Sequence, residues 1–226
     1  MAKYLVVGGS KGIGAAIAES LIQRGHDVVV FSRTQPEQVS VEWFQIDVTT
    51  TTSFPEIDKL DGIVYCPGSI NLKPINRLSA DDFLNDLTIN FLSAVKVFQH
   101  YLSVLKKSDS ASVIFFSTVA VSQGMPFHAS ISAAKAALEG FAKSAAAELA
   151  PVVRMNVVAP SLTDTPLASH LLNTDVKKEN AANRHPLKRV GNVSDIAAAT
   201  VYLLCDAKWI TGQTLHVDGG LSTLRV

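Results

Sequence analysis

The stretch Val6-Val7-Gly8-Gly9-Ser10-Lys11-Gly12-Ile13-Gly14 decides how this chain folds. The apolar run before it, Tyr4 to Val7, reads as a buried strand, and residues 15–24 after it read as an amphipathic helix ended by Gly25. A strand, a glycine turn and a helix make an anion site, because unpaired backbone N–H groups and the positive end of the helix dipole face one spot. Side chains at Gly8, Gly12 or Gly14 would hold a dinucleotide pyrophosphate away from those amides. A tight turn between packed elements is the plainer alternative. Three such glycines without Pro or Asn favour a phosphate cradle formed by Gly8, Ser10, Lys11, Gly12, Ile13 and Gly14.

Working outward, residues 28–32 form the next strand, so strand, helix and strand occupy about thirty residues, the length of a βαβ unit with a parallel, right-handed crossover. Further apolar runs predict strands at 43–46, 62–66, 112–117, 154–158 and 215–217. Helical spacing predicts long helices over 80–105 and Ala129–Leu149, and a last helix over 194–205 with Ser194 as its N-cap. The Thr-rich segment 49–60 contains Pro55 and allows at most a stub of helix. Residues from about 160 to 190 read as a loop-rich insertion with short helices. Strands and helices alternate to the end without a linker or repeat. The expected fold is a single α/β domain over 1–226, a doubly wound parallel Rossmann-type sheet with helices on both faces.

Of the 226 residues, 47% are hydrophobic, enough for a sizeable core. Twenty basic and twenty acidic side chains balance, which gives no electrostatic case for nucleic acid or an anionic membrane surface. The two cysteines, Cys66 and Cys205, lack metal-ligand spacing and read as reduced thiols. There is no leader-like segment and no apolar run of bilayer length. A cytoplasmic protein without metal, membrane or nucleic-acid partners is expected.

An NAD-type site usually places an acid about twenty residues past the glycine turn to bind the ribose 2′-hydroxyl. Here that place is held by Ser32-Arg33, and no carboxylate follows until Glu37. A guanidinium binds a 2′-phosphate through parallel N–H bonds, and Lys11 adds a second positive charge. Both could also be solvated surface charges. Their coincidence at the two places a 2′-phosphate would touch favours NADP(H).

These fragments, in this order, resemble the short-chain dehydrogenase/reductase family from end to end. The glycine turn is similar to T-G-x-x-x-G-x-G, with Val7 where Thr is usual. The resemblance implies that Asp47-Val48 holds the adenine ring, that Asn90 is the active-site Asn, and that Pro160-Ser161-Leu162-Thr163-Asp164-Thr165 is the P-G-x-x-x-T loop at the nicotinamide, with Ser161 for Gly and with Pro160, Thr163 and Thr165 as cofactor contacts. The tail from Ile210 to Gly220 resembles the family's closing strand. The 160–190 segment corresponds to the family's substrate lid. Its Leu167, Leu171, Leu172 and Leu187, mixed with His170, Lys177, Lys178 and Arg184, select no substrate class. A small-molecule substrate and a homo-oligomer, dimer or tetramer, follow by analogy alone.

Two departures stand out. Tyr65-Cys66-Pro67-Gly68 occupies the family's N-N-A-G, so the amide hydrogen bonds that stiffen that loop must be replaced or lost. The second departure concerns the catalytic group. Matching Thr118 to the family's Ser and Lys135 to its Lys puts the catalytic Tyr of Y-x-x-x-K at position 131, which is Ile131. None of the four tyrosines, Tyr4, Tyr65, Tyr101 and Tyr202, lies nearby. The family's Tyr delivers a proton to the developing alkoxide, and losing a positioned acid costs about 10² to 10⁴ in rate. Lys135 falls on the apolar stripe of Ile131, Ala134, Leu138, Ala142, Ala145 and Leu149, where a charge needs a partner, and cofactor ribose hydroxyls would serve. Asn90 has less support, since a helical Asn can simply face solvent. His128, seven residues before Lys135, is the titratable candidate near Ile131, although an exposed loop histidine beside Pro126 and Phe127 is the simpler reading.

The sequence therefore suggests an NADP(H)-dependent oxidoreductase acting on a carbonyl or hydroxyl, with Asn90, Thr118 and Lys135 in family roles. A reductase of activated C=C bonds and a non-catalytic NADP(H)-binding protein are the alternatives.

Overall fold

The computed structural model describes residues 1–37 and 40–225. Lys3–Val7 (β1), Asp27–Ser32 (β2), Glu42–Gln45 (β3), Gly62–Tyr65 (β4), Ala111–Phe116 (β5), Val153–Pro160 (β6) and Thr214–Val217 (β7) form one sheet. Its order is β3-β2-β1-β4-β5-β6-β7, and every pairing is parallel. The expected doubly wound fold is therefore present. The order reverses between β1 and β4, which opens a crevice at the carboxyl ends of these strands, where ligands of such sheets bind.

Strands β1, β2, β4 and β5 are apolar on consecutive residues because helices cover both faces. Gly12–Gln23 (α1) and Val193–Val201 (α6) pack one face through Ile17, Leu21, Ile196 and Val201. Ser93–Leu105 (α3) and Ala129–Leu149 (α4) cover the other through Val97, Phe98, Tyr101, Leu138 and Leu149. Gly25 ends α1 at φ +77°, with its N–H on the Ile22 carbonyl and that of His26 on the Leu21 carbonyl.

Three local expectations are corrected. The run 80–105 is not one helix. Ala80–Leu87 (α2) meets α3 through a π-helical turn, Thr88–Leu92. The last helix starts on Asn192 rather than Ser194. Asn192 Oδ1 accepts from the Asp195 N–H at 2.9 Å, the Asp195 carboxylate accepts from the Asn192 N–H at 2.9 Å, and the Ser194 hydroxyl only buttresses Asn192. That helix also leaves α geometry early, in a π-helical turn at Tyr202–Asp206. The opened carbonyls there are taken by Arg154, which donates to Leu203, Leu204 and Ala207 at 2.9 Å each and to Ile210 at 3.2 Å.

As the Thr-rich sequence indicates, the crossover from β3 to β4 runs without a helix. Side chains cover the sheet there instead. Phe54 stacks on Phe31 at 6.2 Å, the Tyr101 hydroxyl donates to the Pro55 carbonyl at 2.7 Å, and Lys96 donates to the Thr51 carbonyl. Beyond β6 the segment expected to serve as a lid holds a short 3₁₀ segment, Pro166–Leu171, and one helix, Asp175–Arg184 (α5).

Candidate active site

Lys11 is the N-cap of α1 and has extended backbone, but no side chain caps the helix, so the amides of Gly12, Ile13 and Gly14 present their N–H groups to the crevice. Gly12 sits at φ +56°, and a Cβ there would lie 3.5 Å from Pro166 and 3.7 Å from Thr165, so the lid loop roofs the helix terminus. Gly14 has a different reason from the one expected. A Cβ would fall 2.3 Å from the Gly8 carbonyl oxygen, so Gly14 lets the turn fold onto its own helix. Gly8, at φ +78°, packs against Pro67 and Cys66.

The Ser10 and Thr34 hydroxyls are 3.2 Å apart, which brings the segments carrying Lys11 and Arg33 together at one exposed rim. Neither cation joins an ion pair among the described residues. Ser32, expected at the cofactor, is instead a strut. Its buried hydroxyl donates to the Thr34 carbonyl at 2.8 Å and accepts from the Trp43 indole at 2.9 Å. Asp47 accepts from the Thr49 hydroxyl at 2.6 Å and its amide at 3.0 Å, and those bonds, with Arg33 adding less, hold its carboxyl below the ordinary range. Val48 beside it is buried. These residues fit a nicotinamide dinucleotide: free amides at a helix terminus, a glycine with left-handed backbone at its start, and two unpaired cations at the rim.

Asn90 does not face solvent; its exposure is 0%. The π-helical turn explains its setting. The Ser93 N–H bonds the Thr88 carbonyl five residues back, leaving the Ile89 carbonyl to accept from the Tyr65 hydroxyl at 2.7 Å. The Asn90 amide donates at 2.8 Å to both the Asp86 carbonyl and the Ser69 hydroxyl, and its oxygen accepts from the Ser69 N–H at 3.4 Å. Ser69 in turn donates to the buried Asp86 carboxylate at 2.5 Å. The stiffening that N-N-A-G supplies is thus replaced by Tyr65 and an Asn90–Ser69–Asp86 network. A Cβ on Gly68 would meet Asn90 Oδ1 at 3.1 Å and Lys135 Nζ at 3.5 Å, so these two groups flank one bare glycine. Lys135 is 7% exposed and donates to the Phe116 carbonyl at 2.8 Å. Burial brings its ammonium down to about 8, with Cys66 and Asp86 nearby acting in the opposite sense. Burial also pushes the Cys66 thiol up to about 12, keeping it neutral.

A cavity of about 810 Å³ opens over these groups. Gly68, Ser69, Thr118, Ile131 and Lys135 border it, together with Ile13 of the glycine turn. Thr118 Oγ1 accepts from the Ala120 N–H at 3.3 Å, which leaves its own proton free to donate. Ile131 is 5% exposed and forms apolar wall with Ile70, Leu72, Met125, Phe127 and Leu162. His128 also borders the cavity, with Nδ1 2.7 Å from the Pro126 carbonyl.

The lid residues separate in a way their sequence did not reveal. Leu167, Leu171, Lys177 and Arg184 border the cavity, whereas Leu172 is buried and Leu187 and Lys178 are exposed elsewhere. The Thr163 hydroxyl donates to the Ser161 carbonyl at 2.9 Å, and the Thr165 hydroxyl caps the 3₁₀ segment by accepting from the Ala168 N–H at 3.2 Å. Pro160 accepts the Val119 N–H at 3.2 Å, joining the lid loop to the Thr118 segment. Sequence reasoning missed Ser69, Asp86 and His185. Ser69 and Asp86 carry no spacing signal and meet only through the fold. His185 lies within the segment read as lid.

Among the described residues no group of three His, Cys, Asp or Glu side chains is placed to hold a metal ion, and no helix is long and apolar enough to cross a membrane.

A family model described as enoyl-(acyl carrier protein) reductase matches residues 7–222. The chain is similar to "Tropinone reductase homolog At2g29290" of Arabidopsis thaliana, with 32% identity over 96% of this chain and 92% of that protein. It is similar to the 3-oxoacyl-[acyl-carrier-protein] reductase FabG of Salmonella typhimurium at 29% identity, over 96% of each chain. Among solved structures, ligand-free aldohexose dehydrogenase of Thermoplasma acidophilum superposes with a TM-score of 0.92 at 27% identity, covering 99% of this chain and 95% of that one. With a family model matched over residues 7–222 and a parallel sheet shared with these relatives over nearly its whole length, the chain belongs to the short-chain dehydrogenase/reductase family of oxidoreductases.

Proposed function

We propose that this protein is an NADP(H)-dependent oxidoreductase interconverting a carbonyl and a hydroxyl on a small, largely apolar substrate. The observation that carries the reading is one cavity bordered both by Ile13, at an uncapped helix terminus, and by the buried Lys135, with two unpaired cations, Lys11 and Arg33, on the exposed edge of the same glycine turn. When bound, the dinucleotide supplies or takes up a hydride. The amides of Gly12 to Gly14 would hold its pyrophosphate, Lys11 and Arg33 its 2′-phosphate, Asp47 and Val48 its adenine end, and Lys135 its ribose hydroxyls. The Thr118 hydroxyl polarises a substrate oxygen, and the apolar walls exclude water. The relatives named above are reductases and a dehydrogenase by name, which supports carbonyl or hydroxyl chemistry. Homo-oligomeric assembly belongs to the proposal by family analogy.

A second reading, reduction of activated C=C bonds, is favoured by Ile131 as a cavity wall, because an enolate oxygen makes less demand on a strong acid. One experiment addresses both. Purified protein is titrated with NADPH and NADH by fluorescence, then assayed on ketones and matched enones. Preferential NADPH binding, weakened by Arg33→Glu, with ketone turnover supports the proposal. Turnover of enones alone supports the second reading. Binding without turnover of either describes a non-catalytic NADP(H) protein, for which gain of reductase activity in Ile131→Tyr is the discriminating result. Failure to bind NADPH overturns all three.

A further inference from the structure

With Ile131 in place of a phenol, the proton exchanged with substrate needs another carrier, and the lid side of the cavity holds a built one. Ser161 Oγ lies 2.8 Å from His185 Nε2. The other ring nitrogen, Nδ1, lies 2.8 Å from the Ala181 carbonyl, which can only accept. Nδ1 therefore carries the hydrogen, and Nε2 turns its lone pair to the serine hydroxyl. The ring is 3% exposed and flanked by Gly219, where a Cβ would stand 3.6 Å away, so few other orientations are open to it. Both Ser161 and His185 border the cavity with Ile131 and Lys135. Because Pro160 accepts the Val119 N–H, Ser161 stands at the end of β6 beside the Thr118 end of β5. His128 has no comparable setting. It is tied to Pro126 and pairs with no hydroxyl among the described residues.

Building on the function proposed above, we infer that Ser161 and His185 are catalytic residues, a proton-transfer dyad standing in for the absent phenol. In the oxidising direction the substrate O–H bond breaks and its proton passes to Ser161 Oγ, while the Ser161 proton passes to His185 Nε2. The carbinol C–H bond breaks with its electron pair, and the hydride is accepted by an oxidised nicotinamide dinucleotide, the named co-reactant. The products are a carbonyl, the reduced dinucleotide and an imidazolium that returns its proton to water. Reduction runs the same path backwards, with the imidazolium re-protonating Ser161 as Ser161 protonates the alkoxide.

The test uses the full chain. Ser161→Gly, which restores the family's residue, and His185→Gln are expected to bind NADPH as the parent does but to lose about 100-fold or more in kcat. In an Ile131→Tyr background, where a phenol is again present, the loss caused by Ser161→Gly shrinks to a few-fold. A readout independent of turnover is nitrogen NMR of the cofactor-free protein. His185 Nε2 is expected as a hydrogen-bonded, unprotonated nitrogen whose resonance moves in Ser161→Gly. If the parent turns over and both variants keep its kcat, the dyad is overturned while the proposed function stands. A protonated Nε2 in the free protein overturns the dyad on geometry alone. A parent that binds NADPH but turns over no substrate overturns both. Should His185→Gln fail to fold, Ser161→Gly and Ser161→Ala carry the same comparison.

Discussion

Lys135 is a buried ammonium whose hydrogen-bond partner within the chain is the Phe116 carbonyl. The unfolded chain keeps its proton up to the ordinary lysine value, whereas the folded chain releases it near 8. Between those values the unfolded state binds more protons, so this residue's contribution to stability rises with pH across that window and its penalty is fully present below it. The displacement corresponds to roughly 3 kcal/mol. Lys135→Met is therefore expected to raise the Tm of the cofactor-free protein at pH 7 and to lose that advantage as pH climbs toward 10, while weakening cofactor binding. Differential scanning fluorimetry of the pair across pH measures this. Phe127 offers a second test. It holds φ +69° although it is 56% exposed, so little burial offsets its left-handed backbone. Phe127→Gly should leave stability equal or about 1 kcal/mol higher, read from urea unfolding, and raise KM for apolar substrates because a cavity wall is lost. At this scale Lys135 was legible in the sequence, because a lysine on an apolar helical stripe is conspicuous. Asn90 was named but its burial was not, since nothing local distinguishes it from a solvated helical Asn. Ser69 and Asp86 meet it only across a chain crossing that sequence spacing does not encode.

Helix geometry, more than helix placement, distinguishes the elements. Both π-helical turns free carbonyls that side chains from the sheet then occupy: Tyr65 takes Ile89, and Arg154 takes four carbonyls at and beyond the end of α6. Tyr65→Phe should cost about 1–2 kcal/mol and loosen the turn that fixes Asn90, seen as faster amide exchange over 88–92. Arg154→Met leaves several carbonyls without their donor and should cost on the order of 4 kcal/mol in urea unfolding. The periodicity of 80–105 announced a helix but not its break, because one inserted residue barely disturbs a 3.6-residue pattern over seven turns or so. The Asn192 cap was missed for a related reason: Ser194 is also a good capping type, and only the reciprocal bond to Asp195 decides between them.

For the whole molecule, the parallel doubly wound sheet followed from the sequence because strands that alternate with helices leave few right-handed arrangements. The lid did not, since side chains of mixed polarity over a short helix read alike whether they face a cavity or water. The helix-free crossover between β3 and β4 has a further consequence. Phe54, Tyr101 and Lys96 pin that coil where a hydrogen-bonded helix would otherwise resist opening, so its release costs less than global unfolding. It begins directly after Asp47 and Val48, the residues assigned to the adenine end. A ligand that grips those two residues must therefore suppress the local opening of 49–60 by mass action. At a hundredfold excess of NADPH over its Kd, amide exchange there should slow by about 100-fold, equivalent to about 2.7 kcal/mol. In this chain the cofactor, rather than a helix, would complete the cover of one corner of the sheet.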